Sequence, residues 1–136
     1  MLNALRMKNG SLSQNVNKPT DSRRSIGRRG EEYAATFLHS QGFTLIARNW
    51  RCLFGEIDLI VQRGDEIRFI EVKTRRTRTY GLPQESVTSK KLRHLARSIE
   101  WWISQCSNQP RHYQADVVAL LWENNDWKVE WIEGVL

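Results

Sequence analysis

The chain is short of cysteine, of long apolar runs and of acidic charge, and each shortage excludes something. Only Cys52 and Cys106 are present, far apart and without metal-ligand spacing, so neither a disulfide framework nor a cysteine-held metal is expected. They read as ordinary thiols of a reducing compartment. The opening MLNALRMKNG has no apolar core long enough for a signal peptide, and no later run could span a bilayer. We therefore expect a cytoplasmic protein without a membrane segment. No internal repeat interrupts the chain. Acidic residues number 15 against 21 Lys and Arg, which gives a net charge of +6 and a pI near 9.7. An anionic partner suits such a surface, although many small domains are basic.

What is present is enough for one domain. At 136 residues the chain can bury a real core but not two comfortable ones. Residues 1–22 are rich in Asn, Ser, Lys and Gln with few large apolar groups, a composition that cannot offset ordering entropy, so a disordered tail is expected there. Residues 23–136 form the expected single domain. From Ser25 the periodicity is helical, with Ile26, Tyr33, Ala34, Phe37 and Leu38 recurring at helical intervals and Gly42 placed as a stop. Residues 43–51 read as a strand. After the basic stretch ending at Gly81, and Pro83, Thr88 or Ser89 can cap a second helix running to about Gln105. Its packed face carries Leu92, Leu95, Ala96, Ile99, Trp102 and Ile103. Residues 113–122 and 127–132 read as two last strands, the second an edge strand with one wet face. With the central hairpin described next, the order is α-β-β-β-α-β-β, an α/β sandwich around a mixed sheet.

The chain is organised around residues 55–75, GEIDLIVQRGDEIRFIEVKTR. Two apolar runs flank Arg63-Gly64-Asp65-Glu66, and Gly64-Asp65 fits a type II′ two-residue loop. Counting outward from Arg63 opposite Glu66 puts Asp58 across from Glu71 and Glu56 across from Lys73. Strict alternation then groups Asp58, Glu71 and Lys73 with Ile60, Ile67 and Phe69, and Ile57 with Leu59, Val61, Ile70 and Val72. Opposed like charges destabilise a sheet, so two facing carboxylates in an apolar hairpin need a reason. A divalent cation supplies one; Lys73 could also offset part of the charge without a metal. Such a set suits phosphodiester hydrolysis. Mg²⁺ takes one or two carboxylates and otherwise keeps water and phosphate oxygens, and a neighbouring lysine can offset charge developing on the phosphate. Asp58 and Glu71 would be its ligands, with the Val72 carbonyl as a third.

The pattern D-x(12)-E-x-K on a hairpin, after a helix that carries Glu, resembles the PD-(D/E)XK nuclease superfamily. The longer text is similar to the YraN-like family, which resembles archaeal Holliday-junction resolvases. The matching pieces are GRRGE at 27–31, RNWR at 48–51, GEIDLI at 55–60 and FIEVKTR at 69–75. Together they span about residues 25–132. The resemblance implies a restriction-endonuclease-like fold and a Mg²⁺- or Mn²⁺-dependent endonuclease acting on DNA, branched or structured DNA included. It implies Asp58 and Glu71 as metal ligands, Lys73 as the catalytic lysine and Glu31 as the helix carboxylate of the site. It also implies a homodimer, because cutting two strands needs two sites. Ile57 stands where the superfamily's name has proline.

Each assignment has a plainer alternative. Asp58, Glu71 and Lys73 could be a salt-bridged strand end, and Glu31 a first-turn carboxylate that favours the helix dipole. Glu56 could pair with Lys73 or support the ligands. Arg75, Arg76, Arg78, Lys90, Lys91, Arg93 and Arg97 flank the site in sequence; they could hold nucleic-acid phosphates or face solvent. Two other functions stay open: a nucleic-acid-binding module with little turnover, and a basic adaptor docking an acidic protein.

Overall fold

The computed structural model describes residues 23–76 and 88–136. The expected tail, residues 1–22, and the basic loop containing Arg78 and Pro83 lie outside them. Seven elements follow in the expected order: α1 (Arg23–Ser40), β1 (Thr44–Cys52), β2 (Gly55–Arg63), β3 (Glu66–Arg75), α2 (Ser89–Ser104), β4 (His112–Glu123) and β5 (Asp126–Ile132). The strands form one five-stranded sheet in sequential order. Every neighbouring pair is antiparallel except β3 and β4, which are parallel. A parallel pair needs a crossover, and the segment carrying α2 supplies it.

Local sequence explains the element ends. α1 stops where Gly42 takes φ +94, with Phe43 N–H on the Leu38 carbonyl and Gly42 N–H on that of His39, both at 3.0 Å. That is the glycine-terminated double bond that satisfies a helix's last carbonyls. Thr88 caps α2, its hydroxyl accepting from Lys91 N–H at 3.2 Å. Gly64 at φ +61 makes the β2–β3 turn, and Asn124 and Asn125 at φ 55 and 58 make the β4–β5 turn.

The two helices cover opposite faces of the sheet. α1 lays Ala34 and Leu38 on Leu59, Val61, Ile70, Val118 and Leu120, and Phe43 joins them. α2 lays Leu95, Ile99 and Trp102 on Ile57, Ile60, Ile67 and Phe69. Burying a Leu or Ile side chain contributes about 1.5–3 kcal/mol, so both layers can support a charged end. β5 alternates as expected, with Trp127, Val129 and Trp131 turned towards α1 and Lys128 and Glu130 exposed.

One close approach fixes α1 over the sheet. A Cβ on Gly30 would lie 2.0 Å from Thr74 Cγ2 and 3.4 Å from Leu120 Cδ1. Only glycine lets the helix axis come this near β3, and it carries the next residue, Glu31, to the end of the strand.

At the other end of β3 sits a buried polar knot. Arg68, 6% exposed, pairs with the fully buried Asp116 at 2.7 Å, with Glu133 at 2.7 Å, and with Glu66. Its guanidinium also lies over the Phe43 and Trp131 rings. Asp116 further accepts from Gln114 Nε2, Trp131 Nε1 and Gly134 N–H at 2.8–2.9 Å. The buried charges are thus matched and hydrogen-bonded, which is the condition for tolerating them.

Candidate metal centre

The expected hairpin register holds from Arg63↔Glu66 to Leu59↔Ile70 and then stops. β3 stays paired with β4 as far as Arg75↔Leu121. β2 therefore leaves β3 one residue before Asp58 and Glu71 would face each other. The Asp58 carboxylate takes over the vacated position: its Oδ2 accepts the Val72 N–H at 2.8 Å. In an antiparallel ladder a residue's N–H and C=O point to the same side, so the Val72 carbonyl is turned towards the same opening.

The kink that frees Asp58 has a visible cause. On β1, Asn49 lies between the paired residues Arg48↔Leu59 and Trp50↔Ile57, and it adopts φ +48, a left-handed conformation that asparagine tolerates. Both strands lose regular alternation at this level. Strict alternation predicts Ile57 beside Leu59; instead Ile57 packs with Ile60, Leu95 and Ile99 on the α2 side. Asp58 is released towards Glu31 in the middle of α1.

Four carboxylates gather there. Glu31 is the ninth residue of α1, and no acidic residue occupies that helix's first turn. The dipole explanation for Glu31 is therefore set aside. With its amide nitrogen facing the acids, Asn49 donates to Glu31 Oε2 at 3.2 Å and to Glu56 Oε1 at 2.8 Å. Of the two roles open to Glu56, pairing with Lys73 is not formed; the side chain turns back to β1, with Oε2 3.4 Å from Arg51 Nε. Lys73 instead holds Glu71, Nζ to Oε1 at 3.1 Å.

The electrostatics follow from this crowding. Burial, then the neighbouring Glu71, push the Asp58 carboxyl up to about 8, against the help of the Val72 N–H. Burial also raises Glu31, opposed by the Asn49 amide and reinforced by Glu56. Lys73 is held above the ordinary lysine range, against the cost of burial, by its contacts with Lys91 and Glu71. Lys91, from the first turn of α2, is lowered chiefly by Lys73 beside it. Of the basic residues that flank the site in sequence, Lys91 thus reaches Lys73 and the site itself.

Among the described residues, no three His, Cys, Asp or Glu side chains form a ready-made metal cage. A hard cation such as Mg²⁺ does not require one, because it keeps several waters. The donor set fits that ion: Asp58 and Glu71 supply oxygens, and Glu71, Glu31 and Glu56 add to the effect of burial in raising Asp58.

These residues lie within one recognised stretch. Residues 30–120 match the sequence profile described as uncharacterised protein family UPF0102. The chain belongs to the UPF0102 family. A UPF0102 protein of Neisseria meningitidis serogroup C is 44% identical over 109 residues, covering 80% of this chain and 92% of its own length. One from Caldicellulosiruptor saccharolyticus is 41% identical over 99 residues, or 73% and 84% of the two chains. The corresponding figures for one from Symbiobacterium thermophilum are 47% over 97 residues, or 71% and 82%. The UPF0102 match begins at Gly30, whose missing side chain seats α1, and takes in Glu31, Asn49, Asp58, Glu71, Lys73 and Lys91.

Among the flanking basic residues, Arg76, Lys90, Lys91, Arg93 and Arg97 are exposed and Arg75 is half-buried; Arg78 lies outside the described residues. Asn49 is the residue that sequence reasoning passed over. Its signal was present: a polar, left-handed-tolerant residue inside a strand, directly across from the key aspartate in the register. No described helix is long and apolar enough to cross a membrane.

Proposed function

We propose that this chain is a metal-dependent endonuclease of the PD-(D/E)XK type, hydrolysing phosphodiester bonds in DNA, with branched or structured DNA among its substrates. The observation that carries this reading is the opening between β2 and β3. There Asp58 and Glu71 converge from adjacent strands while Lys73 lies on Glu71 at 3.1 Å. Bound Mg²⁺ or Mn²⁺ would supply Lewis acidity and a nucleophilic water at neutral pH. Asp58, Glu71 and the Val72 carbonyl would hold it. Lys73 would stay protonated and place its ammonium where charge develops on the phosphate. Glu31, restrained by the Asn49 amide, would orient water on the α1 side. Lys90, Arg93 and Arg97 would hold phosphates along the approach. We place the protein in the cytoplasm, working as a homodimer on two strands.

A second reading, a nucleic-acid-binding module without turnover, is favoured by the direct Lys73–Glu71 contact, which occupies one oxygen of a proposed ligand. Calorimetric titration of Mn²⁺ or Mg²⁺ into wild type and Asp58→Ala, with a short non-cleavable duplex present, separates the two. Metal binding in wild type alone supports the nuclease. DNA binding without metal binding, equal in both proteins, supports the module.

A further inference from the structure

The β1–β2 turn carries a side chain that its own geometry does not call for. Tight turns favour Gly, Asn, Asp, Pro and Ser. Here, between Cys52 and its partner Gly55, the turn holds Leu53 and Phe54. Leu53 is 93% exposed, the most exposed of the chain's described large apolar side chains. The conformational burden falls on Gly55 at φ +144, whose absent Cβ would sit 3.5 Å from Ser98 Oγ. The turn is therefore pressed beneath α2 with Leu53 projecting beyond it.

Phe54 does not cover Leu53. Its ring meets Trp101 of α2 edge-on, centroids 6.3 Å apart, and Trp101 is itself 47% exposed. Ahead of Trp101 along the exposed side of α2 come Arg97 and Arg93, at the four-residue spacing that aligns side chains on one face. Arg51, with its side chain 79% exposed, flanks the turn on β1. An apolar tip thus ends a track of cations. Lys91, in the first turn of the same helix but on a different side of it, stands beside Lys73 at the proposed reaction centre.

Resting on the nuclease reading above, we infer that Leu53, with Phe54 and Trp101 behind it, is a wedge that occupies an interruption in base stacking, while Arg93 and Arg97 hold the adjoining phosphates. The ligand class is nucleic acid with unstacked bases: gapped, nicked or branched, rather than a continuous duplex. Apolar side chains inserted at a base step and aromatic platforms for exposed bases are established ways of holding such sites. The surrounding guanidinium groups match a polyanion better than an apolar protein surface. Leu53 stands at the turn that opens β2, and Gly55, the strand's first residue, is three residues from Asp58, roughly 10 Å at the usual strand rise. The wedge therefore sets cleavage a few base steps from the interruption, at about 3.4 Å each.

The test uses the full chain carrying Asp58→Asn to prevent cutting, with and without Leu53→Ala or Leu53→Phe. The probes are a continuous duplex and the same duplex with a short gap containing 2-aminopurine. The wedge predicts tighter binding to the gapped probe and a change in 2-aminopurine emission. Leu53→Ala should lose about ten-fold of that preference, with continuous-duplex affinity unchanged, and Leu53→Phe should keep it. Equal gap preference and emission in the Ala variant overturn the wedge. If chains with intact Asp58 still cut DNA with Mg²⁺ in that case, the nuclease reading stands without it. Binding to neither probe at low salt, with no metal-dependent cutting, overturns both. A dimer dissolved by Leu53→Ala with DNA binding intact makes the tip a protein interface and overturns the wedge.

Discussion

Replacing Asp58 by asparagine should stabilise the metal-free protein at alkaline pH. The carboxyl has an ordinary value of 3.8 when the chain is unfolded and about 8 when folded. The folded state thus holds a proton that the unfolded state releases, and stability from this group is complete below 3.8 and falls as pH rises through 8. At 1.36 kcal/mol per unit, a difference of about four units sets a ceiling of about 5–6 kcal/mol. Water reaching the open strand end raises the effective dielectric and reduces this to about 2–4 kcal/mol. Asparagine keeps an oxygen for the Val72 N–H, so the hydrogen bond at 2.8 Å survives while the charge does not.

Urea unfolding in EDTA at pH 5, 7 and 8.5 measures the effect. Wild type should weaken steadily across that range and Asp58→Asn much less, the variant being the more stable at the alkaline end. Added Mg²⁺ should then raise wild type alone, because only a ligand bound to the folded state shifts the midpoint. Wild-type stability that rises from pH 5 to 8.5, or a variant weaker than wild type at pH 8.5, would refute the reasoning.

Three further substitutions probe the support of the site. Gly30→Ala should cost about 1–3 kcal/mol by forcing α1 off β3; Thr74→Ser, which removes the methyl 2.0 Å from the added carbon, should restore much of it, as read by melting temperature. Asn49→Ala should lose about 1–2 kcal/mol through its backbone conformation and the two donated bonds. Asn49→Gly should recover the backbone part, while metal affinity measured by calorimetry stays reduced in both. Arg68→Met should be the most damaging, about 3–5 kcal/mol in urea unfolding, because it strands Asp116 as a buried charge.

Much of this arrangement is legible in residues alone, where a local rule governs it. Gly64 and Asp65 define a two-residue loop, and the loop sets the register for five successive pairs. The Gly42 stop and the Thr88 cap are equally local. What escapes is non-local. The ladder's end at Leu59↔Ile70 depends on Asn49 in a different strand, so alternation misplaces Ile57, and counting does not decide between the two roles open to Glu56. The environment of Glu31 depends on how closely Gly30 meets Thr74. Arg68 and Asp116 meet only once β3 and β4 lie parallel, a pairing across the α2 crossover that no periodicity announces.

The two polar clusters on β3 also differ in when they form. Asp58 and Glu71 belong to one hairpin closed by a tight turn, a contact of short chain separation that costs little loop entropy. Arg68 and Asp116 are 48 positions apart and must wait for the crossover. Repulsion between the carboxylates therefore acts on the folding rate, and the arginine knot on the rate of unfolding. Stopped-flow refolding should be faster for Asp58→Asn at alkaline pH, whereas Arg68→Met should chiefly hasten unfolding. A newly made chain would thus meet its electrostatic obstacle early and close its lock late.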